Sequence, residues 1–153
     1  MKPNLLSEAK KLGLDRKPVL LVVLQCPWRK GELENGWNSR VWVKMLWLSH
    51  TGKRLREALP LEFYEVKVCN ANPSLADSPD GVFPPDLRHL RRVLGRVQPD
   101  VVLACGKVAQ GAIAQIAPAI TTVEMSHPAH RLLSKQTTAE IKARLVALAI
   151  KTF

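Results

Sequence analysis

The chain has 153 residues, with 23 Lys and Arg against 13 Asp and Glu, for a formal charge of +10. That is the size of one domain, and with 46% hydrophobic residues it can fill a core, which excludes wholesale disorder. Cys26, Cys69 and Cys105 are widely spaced and form no CxxC pair, which excludes a disulfide-stapled miniprotein and offers no zinc or iron–sulfur framework.

The first 18 residues scatter charge through their apolar positions, unlike a secretory signal, so the expected location is the cytoplasm or a nucleoid. The longest apolar run, Val19 to Leu24, is far short of a membrane span, and no membrane partner is expected. The positive excess makes attraction to phosphates plausible, although many basic domains bind no nucleic acid.

In chain order, Asn4 to Leu14 carries Leu5, Leu6, Ala9 and Leu12 at helical spacing, with Gly13 as a stop. Residues 18 to 25 (PVLLVVLQ) are continuously apolar and β-rich, as in a strand covered on both faces. Residues 26 to 39 concentrate Pro, Gly, Asn and charge directly after that strand, where open α/β sheets hold their ligand loops. Helical stretches follow at Arg40 to Ser49 and Gly52 to Ala58, the second ended by Pro60.

Residues 62 to 69 (EFYEVKVC) alternate as a second strand, and 70 to 85 form a second loop rich in Asn, Ser, Pro and Asp. Pro84 and Pro85 lead into a helix whose Leu87, Leu90, Val93, Leu94 and Val97 share one face, with Arg88, Arg91 and Arg92 on the other. Asp100 to Ala104 reads as a third strand, Gly106 as a turn, Lys107 to Ile116 as a helix and Ala119 to Met125 as a fourth strand. After the loop SHPAHR, Thr137 or Thr138 is expected to cap a last helix with Ile141, Leu145 and Leu148 inward. The elements alternate as αβαβαβαβα. That order implies a single domain over residues 1 to 153, a three-layer α/β/α sandwich around a mostly parallel four-stranded sheet.

Three of the loops that follow strands read QCPW at 25 to 28, NANPS at 70 to 74 and SHPAH at 126 to 130. Together with PDVVLACGKVAQ at 99 to 110, they resemble the uracil-DNA glycosylase superfamily in order and spacing over roughly residues 18 to 135. In that superfamily the first loop holds water and sugar against the reacting carbon. The resemblance implies that role for Gln25 and Cys26; of the tryptophans, Trp28 and Trp37 in the loop are the candidates to stack on a base. The first loop departs from the family pattern, with Leu24 in place of a glycine and Cys26 in place of the carboxylate some members carry. A thiol with a pKa of about 8.5 is mostly neutral at pH 7 and cannot match an ionised acid. From the residue alone, Cys26 also reads as a small buried side chain ending a strand.

The resemblance further implies base recognition by Asn70, or by the neighbouring Asn72, because an amide offers a donor and an acceptor to uracil. Asn, Pro and Ser also make ordinary turns, so an Asx-turn stands beside that role. His127 matches the His of a His-Pro-Ser motif that hydrogen-bonds the base oxygen as charge develops; by itself it could equally bond loop backbone. The motif's serine is Ala129 here. DNA contacts are implied for Ala129, His130, Arg131 and Lys107, with Arg131 where relatives push a side chain into the duplex.

The expected activity is excision of uracil or a related damaged base from single- or double-stranded DNA by a monomer that needs no metal or cofactor. The alternatives are a catalytically inactive member of the fold that binds nucleic acid, and a small-nucleotide or protein-partner module.

Overall fold

The structure, a computed structural model, describes residues 16–25, 50–72, 84–128 and 133–152. Among them, four strands and four helices alternate: β1 (Val19–Leu24), α1 (His50–Ala58), β2 (Glu65–Asn70), α2 (Leu87–Val97), β3 (Val101–Cys105), α3 (Lys107–Ile116), β4 (Thr121–Met125) and α4 (Lys135–Thr152). The helices expected over 4 to 14 and 40 to 49 lie outside the described residues.

The strands form one sheet in the order β2-β1-β3-β4, and every pairing is parallel. The sequences explain which strands are central. VLLVVL and VVLAC are apolar at every position and buried throughout, so both faces can be covered. EVKVCN and TTVEM mix polar and apolar residues and take the two edges.

Because side chains alternate along a strand, β1 feeds two cores. Leu20, Val22 and Leu24 pack with Leu103, Leu55 of α1 and Leu145 of α4. Leu21 and Val23 pack with Val102, Leu90 of α2 and Ile113 of α3. The result is a three-layer α/β/α sandwich, with α1 and α4 on one face and α2 and α3 on the other.

Several boundaries depart from the sequence pattern for local reasons. Asp100 is not in a strand: its carboxylate accepts a hydrogen bond from Val19 N at 2.7 Å, and its own N–H donates to Val19 O at 2.9 Å. Residues 61 to 63 form a turn closed by Phe63 N donating to Pro60 O, so β2 starts only at Glu65. The last helix is capped by Ser134, whose Oγ accepts from Thr137 N at 3.1 Å, rather than by Thr137 or Thr138. Thr138 is buried and donates to Lys135 O instead.

Candidate functional site at the carboxyl ends of the strands

In the order β2-β1-β3-β4, the chain leaves β1 toward β2 on one side and then toward β3 and β4 on the other. The carboxyl ends of β1 and β3 therefore flank a topological switch point, where open parallel sheets form a ligand crevice. Gln25 follows β1, Asn70 ends β2, Gly106 and Lys107 follow β3, and His127 follows β4 by two residues. All of these positions lie along the same edge of the sheet.

The register brings Leu24 opposite Asn70, and Cys105 opposite Met125. Backbone hydrogen bonds extend the pairing beyond the strands: Ala71 N donates to Leu24 O at 2.8 Å, Asn72 N to Gln25 O at 3.0 Å, and Gly106 N to Met125 O at 2.8 Å. Gln110, on the first turns of α3, donates from Nε2 to the same Met125 carbonyl at 3.0 Å. The strand ends that carry Gln25, Asn72 and His127 are thus tied to their neighbours. Three strand spacings of about 4.8 Å put the backbones of β2 and β4 about 14 Å apart, with the ends of β1 and β3 between them.

The β3–α3 turn is the tightest connection along this edge. Gly106 has φ 89° and ψ 164°, a region essentially confined to glycine. A Cβ at Gly106 would lie 3.5 Å from His127 Cβ, so the turn packs directly beneath His127. His127 is half-buried and makes interactions of its own. Helix α3 begins with no side-chain cap and no acidic residue in its first turn, and exposed Lys107 is its first residue. Its N-terminal amides and partial positive charge are on the side where β3 ends.

The two asparagines differ. Asn72 donates from Nδ2 to Pro84 O at 2.7 Å, and Asp86 N donates to Ala71 O at 2.8 Å, so Asn72 helps to close the loop that ends at Pro84. Asn70 is half-buried at the end of β2, and its backbone accepts a hydrogen bond from His89. Gln25 is half-buried, with its carbonyl engaged by Asn72 N. Cys26, Trp28, Trp37, Ala129, His130 and Arg131 lie outside the described residues.

His89 is at this edge although the motif pattern did not single it out. Its backbone N–H donates to the capping carboxylate of Asp86 at 3.0 Å. Burial holds its pKa below the ordinary imidazole value, opposed by Asp86 and the hydrogen bond to Asn70 and assisted by Arg92 and Arg96. The available signal was Pro85-Asp86: an Asp after a Pro marks a helix start and places His89 in its first turn, beside the strand that precedes the loop.

The described cysteines are core residues. Burial raises the Cys69 thiol to about 12 and shifts the Cys105 thiol strongly upward, so neither is a thiolate at neutral pH. Among the described residues no group of His, Cys, Asp and Glu could hold a metal ion. No helix among them is long and apolar enough to cross a membrane. The sequence matches no protein-family model and no curated protein.

Proposed function

We propose that this protein is a DNA glycosylase that takes uracil or a related damaged base out of the helix and hydrolyses its bond to deoxyribose. The observation that supports this reading is the alignment of Gln25, Asn70 and His127 at one end of the sheet, around its switch point. These are the positions at which the motif resemblance asks for a sugar-side polar group, a base-reading amide and an oxyanion donor.

Asn70 would pair with the base edge through its amide, since Asn72 already spends its Nδ2 on Pro84 O. His127 would donate a hydrogen bond to the base oxygen. As the glycosidic bond breaks, its electron pair passes to the base, and water adds to the sugar carbon. A donor fixed where that negative charge grows binds the transition state better than the substrate, and so raises the rate. Gly106 beneath it would serve as a rigid floor. Gln25 would hold the water and sugar.

One departure favours a second reading, a protein of this fold that binds nucleic acid without excising a base. Cys26 and Ala129 stand where an acid and a serine occur in active members.

The test is single-turnover incubation with duplex and single-stranded oligonucleotides carrying uracil, hypoxanthine, xanthine or 5-hydroxymethyluracil, followed by alkaline cleavage at abasic sites. Strand breaks are expected, with a rate about 10²–10³-fold lower in His127→Ala. No breaks at enzyme excess, with the oligonucleotide still bound, would overturn excision in favour of the second reading.

A further inference from the structure

We infer that the solvent face of α2 is a DNA-contacting surface that runs along the phosphate backbone of one strand of a duplex. The inference takes from the reading above only that the partner is DNA.

Helix α2 reads LRHLRRVLGRV, with four arginines and no acidic residue. Leu90 and Val93 are buried, and Leu87, Leu94 and Val97 pack against the same core, whereas Arg88, Arg91, Arg92 and Arg96 are all exposed. At 100° per residue the four arginines fall within about 140° of one another, opposite the apolar face. None of the four forms an ion pair among the described residues. The other layer is different: α1 and α4 intersperse Glu57 and Glu140 among their Lys and Arg.

The length and chemistry of the stripe select its partner. Arg88 to Arg96 spans eight residues, about 12 Å of helix. Successive phosphates along one strand of B-DNA are about 6–7 Å apart, so the stripe covers about two intervals and faces about three of them. Guanidinium groups suit phosphate oxygens as bidentate donors. The helix carries no Phe, Tyr or Trp, the stacking platforms on which single strands are held, so a regular backbone fits better than unstacked bases. Its first turn adjoins Asn70 through His89, so the stripe leads away from the candidate site rather than toward an unrelated face.

The test compares the wild type with Arg91→Gln/Arg92→Gln/Arg96→Gln, which changes only exposed positions to a residue of similar helix propensity. Binding to an undamaged duplex is followed by fluorescence anisotropy across a salt series. Loss of three phosphate contacts is expected to reduce the log–log salt slope by about 2.7, at about 0.9 per contact. Between about 50 and 200 mM salt, the wild type should then lose about 40-fold more affinity than the variant. The triple Lys variant at the same positions should restore the slope, because it restores the charge. Equal slopes in wild type and Gln variant overturn the inference, as does a loss seen only with a single strand. Excision by the same proteins separates the two proposals: excision with unchanged slopes removes the α2 surface alone, and a changed slope without excision removes the glycosylase alone.

Discussion

The two ends of the sheet solve opposite problems. At the amino ends of the strands, backbone and side chains close on one another: Asp100 clasps Val19 through both its carboxylate and its N–H, Glu65 N donates to Pro18 O at 3.0 Å, and Gln98 ends α2 in the left-handed region at φ 49°. At the carboxyl ends, the positions that end or follow the strands are Gln25, Asn70, Lys107 and His127, each polar and half-buried or exposed. One end commits its polar groups to holding the fold. The other, although also tied together by backbone bonds, carries the candidate site residues. Substitutions at the first should therefore change stability and leave activity intact, and substitutions at the second should do the reverse.

Gly106→Ala should have the largest effect, because it acts at the carboxyl end on both properties. An alanine at φ 89° and ψ 164° is strained by about 1–3 kcal/mol, and relief of that strain would move the turn under His127. Excision by the fully folded variant at low temperature should fall by at least tenfold, alongside a lower Tm. A lower Tm with unchanged excision would show that the turn supports the fold but not the site.

Asp100→Ala tests the amino end. It removes the acceptor of the buried Val19 N–H, a charge-assisted bond whose loss costs about 2 kcal/mol. The expected drop in Tm is roughly 4–8 °C for a chain of this size, with the excision rate unchanged at 25 °C. Asp100→Asn, which keeps an acceptor, should recover much of the loss.

Asp100 also illustrates what the sequence could convey. It precedes VVLAC and reads as the first residue of a strand, because periodicity registers apolar runs and is blind to a carboxylate reaching a neighbouring strand 81 residues away. The central strands were legible because both faces are buried, and that leaves an uninterrupted apolar signature. The start of β2 was not: Glu62 and Phe63 continue the alternation but are bent into a turn through Pro60. Ser134 was hidden in the same way, since Ser134, Thr137 and Thr138 are all competent caps by residue type, and the hydrogen bonds alone tell them apart.

The candidate site was legible as loop content after strands. Which asparagine is engaged at the strand end was not, because the bond from Asn72 to Pro84 O joins residues 12 positions apart. His89 escaped notice for a related reason. It looks like one polar residue on an amphipathic helix until the helix is set against β2.

Tyr64→Phe should have a smaller effect. Tyr64 lies just before β2 with 2% of its surface exposed, and its hydroxyl donates to Leu145 O at 2.7 Å. That bond ties the amino end of β2 to α4, and its removal should cost about 1 kcal/mol of stability, read as a lower denaturant midpoint, with no change in DNA binding. Burial, helped by Asp100, raises the phenol pKa above its ordinary value. The wild type therefore keeps this contribution below about pH 10 and loses it as pH rises through the higher folded value, whereas the Phe variant does not.

The smallest effect expected is at His89, on the first turn of α2 beside the end of β2. Its pKa is lowered in the folded state, so between that value and the unfolded value of about 6.5 the unfolded chain binds more protons. Its contribution is complete above about pH 6.5 and is lost as pH falls toward the folded value. In Tm measurements from pH 8 to 5, His89→Gln should fall less steeply than the wild type below about pH 6.5. Arg92→Gln/Arg96→Gln removes two of the charges that disfavour His89 protonation, and so should lie between them. A DNA phosphate seated on those arginines would act in the same direction. Bound duplex should therefore raise the His89 pKa toward its ordinary value, detectable as an imidazole shift by NMR titration. A His89 titration that is identical with and without duplex would show that no phosphate sits beside Arg92 and Arg96.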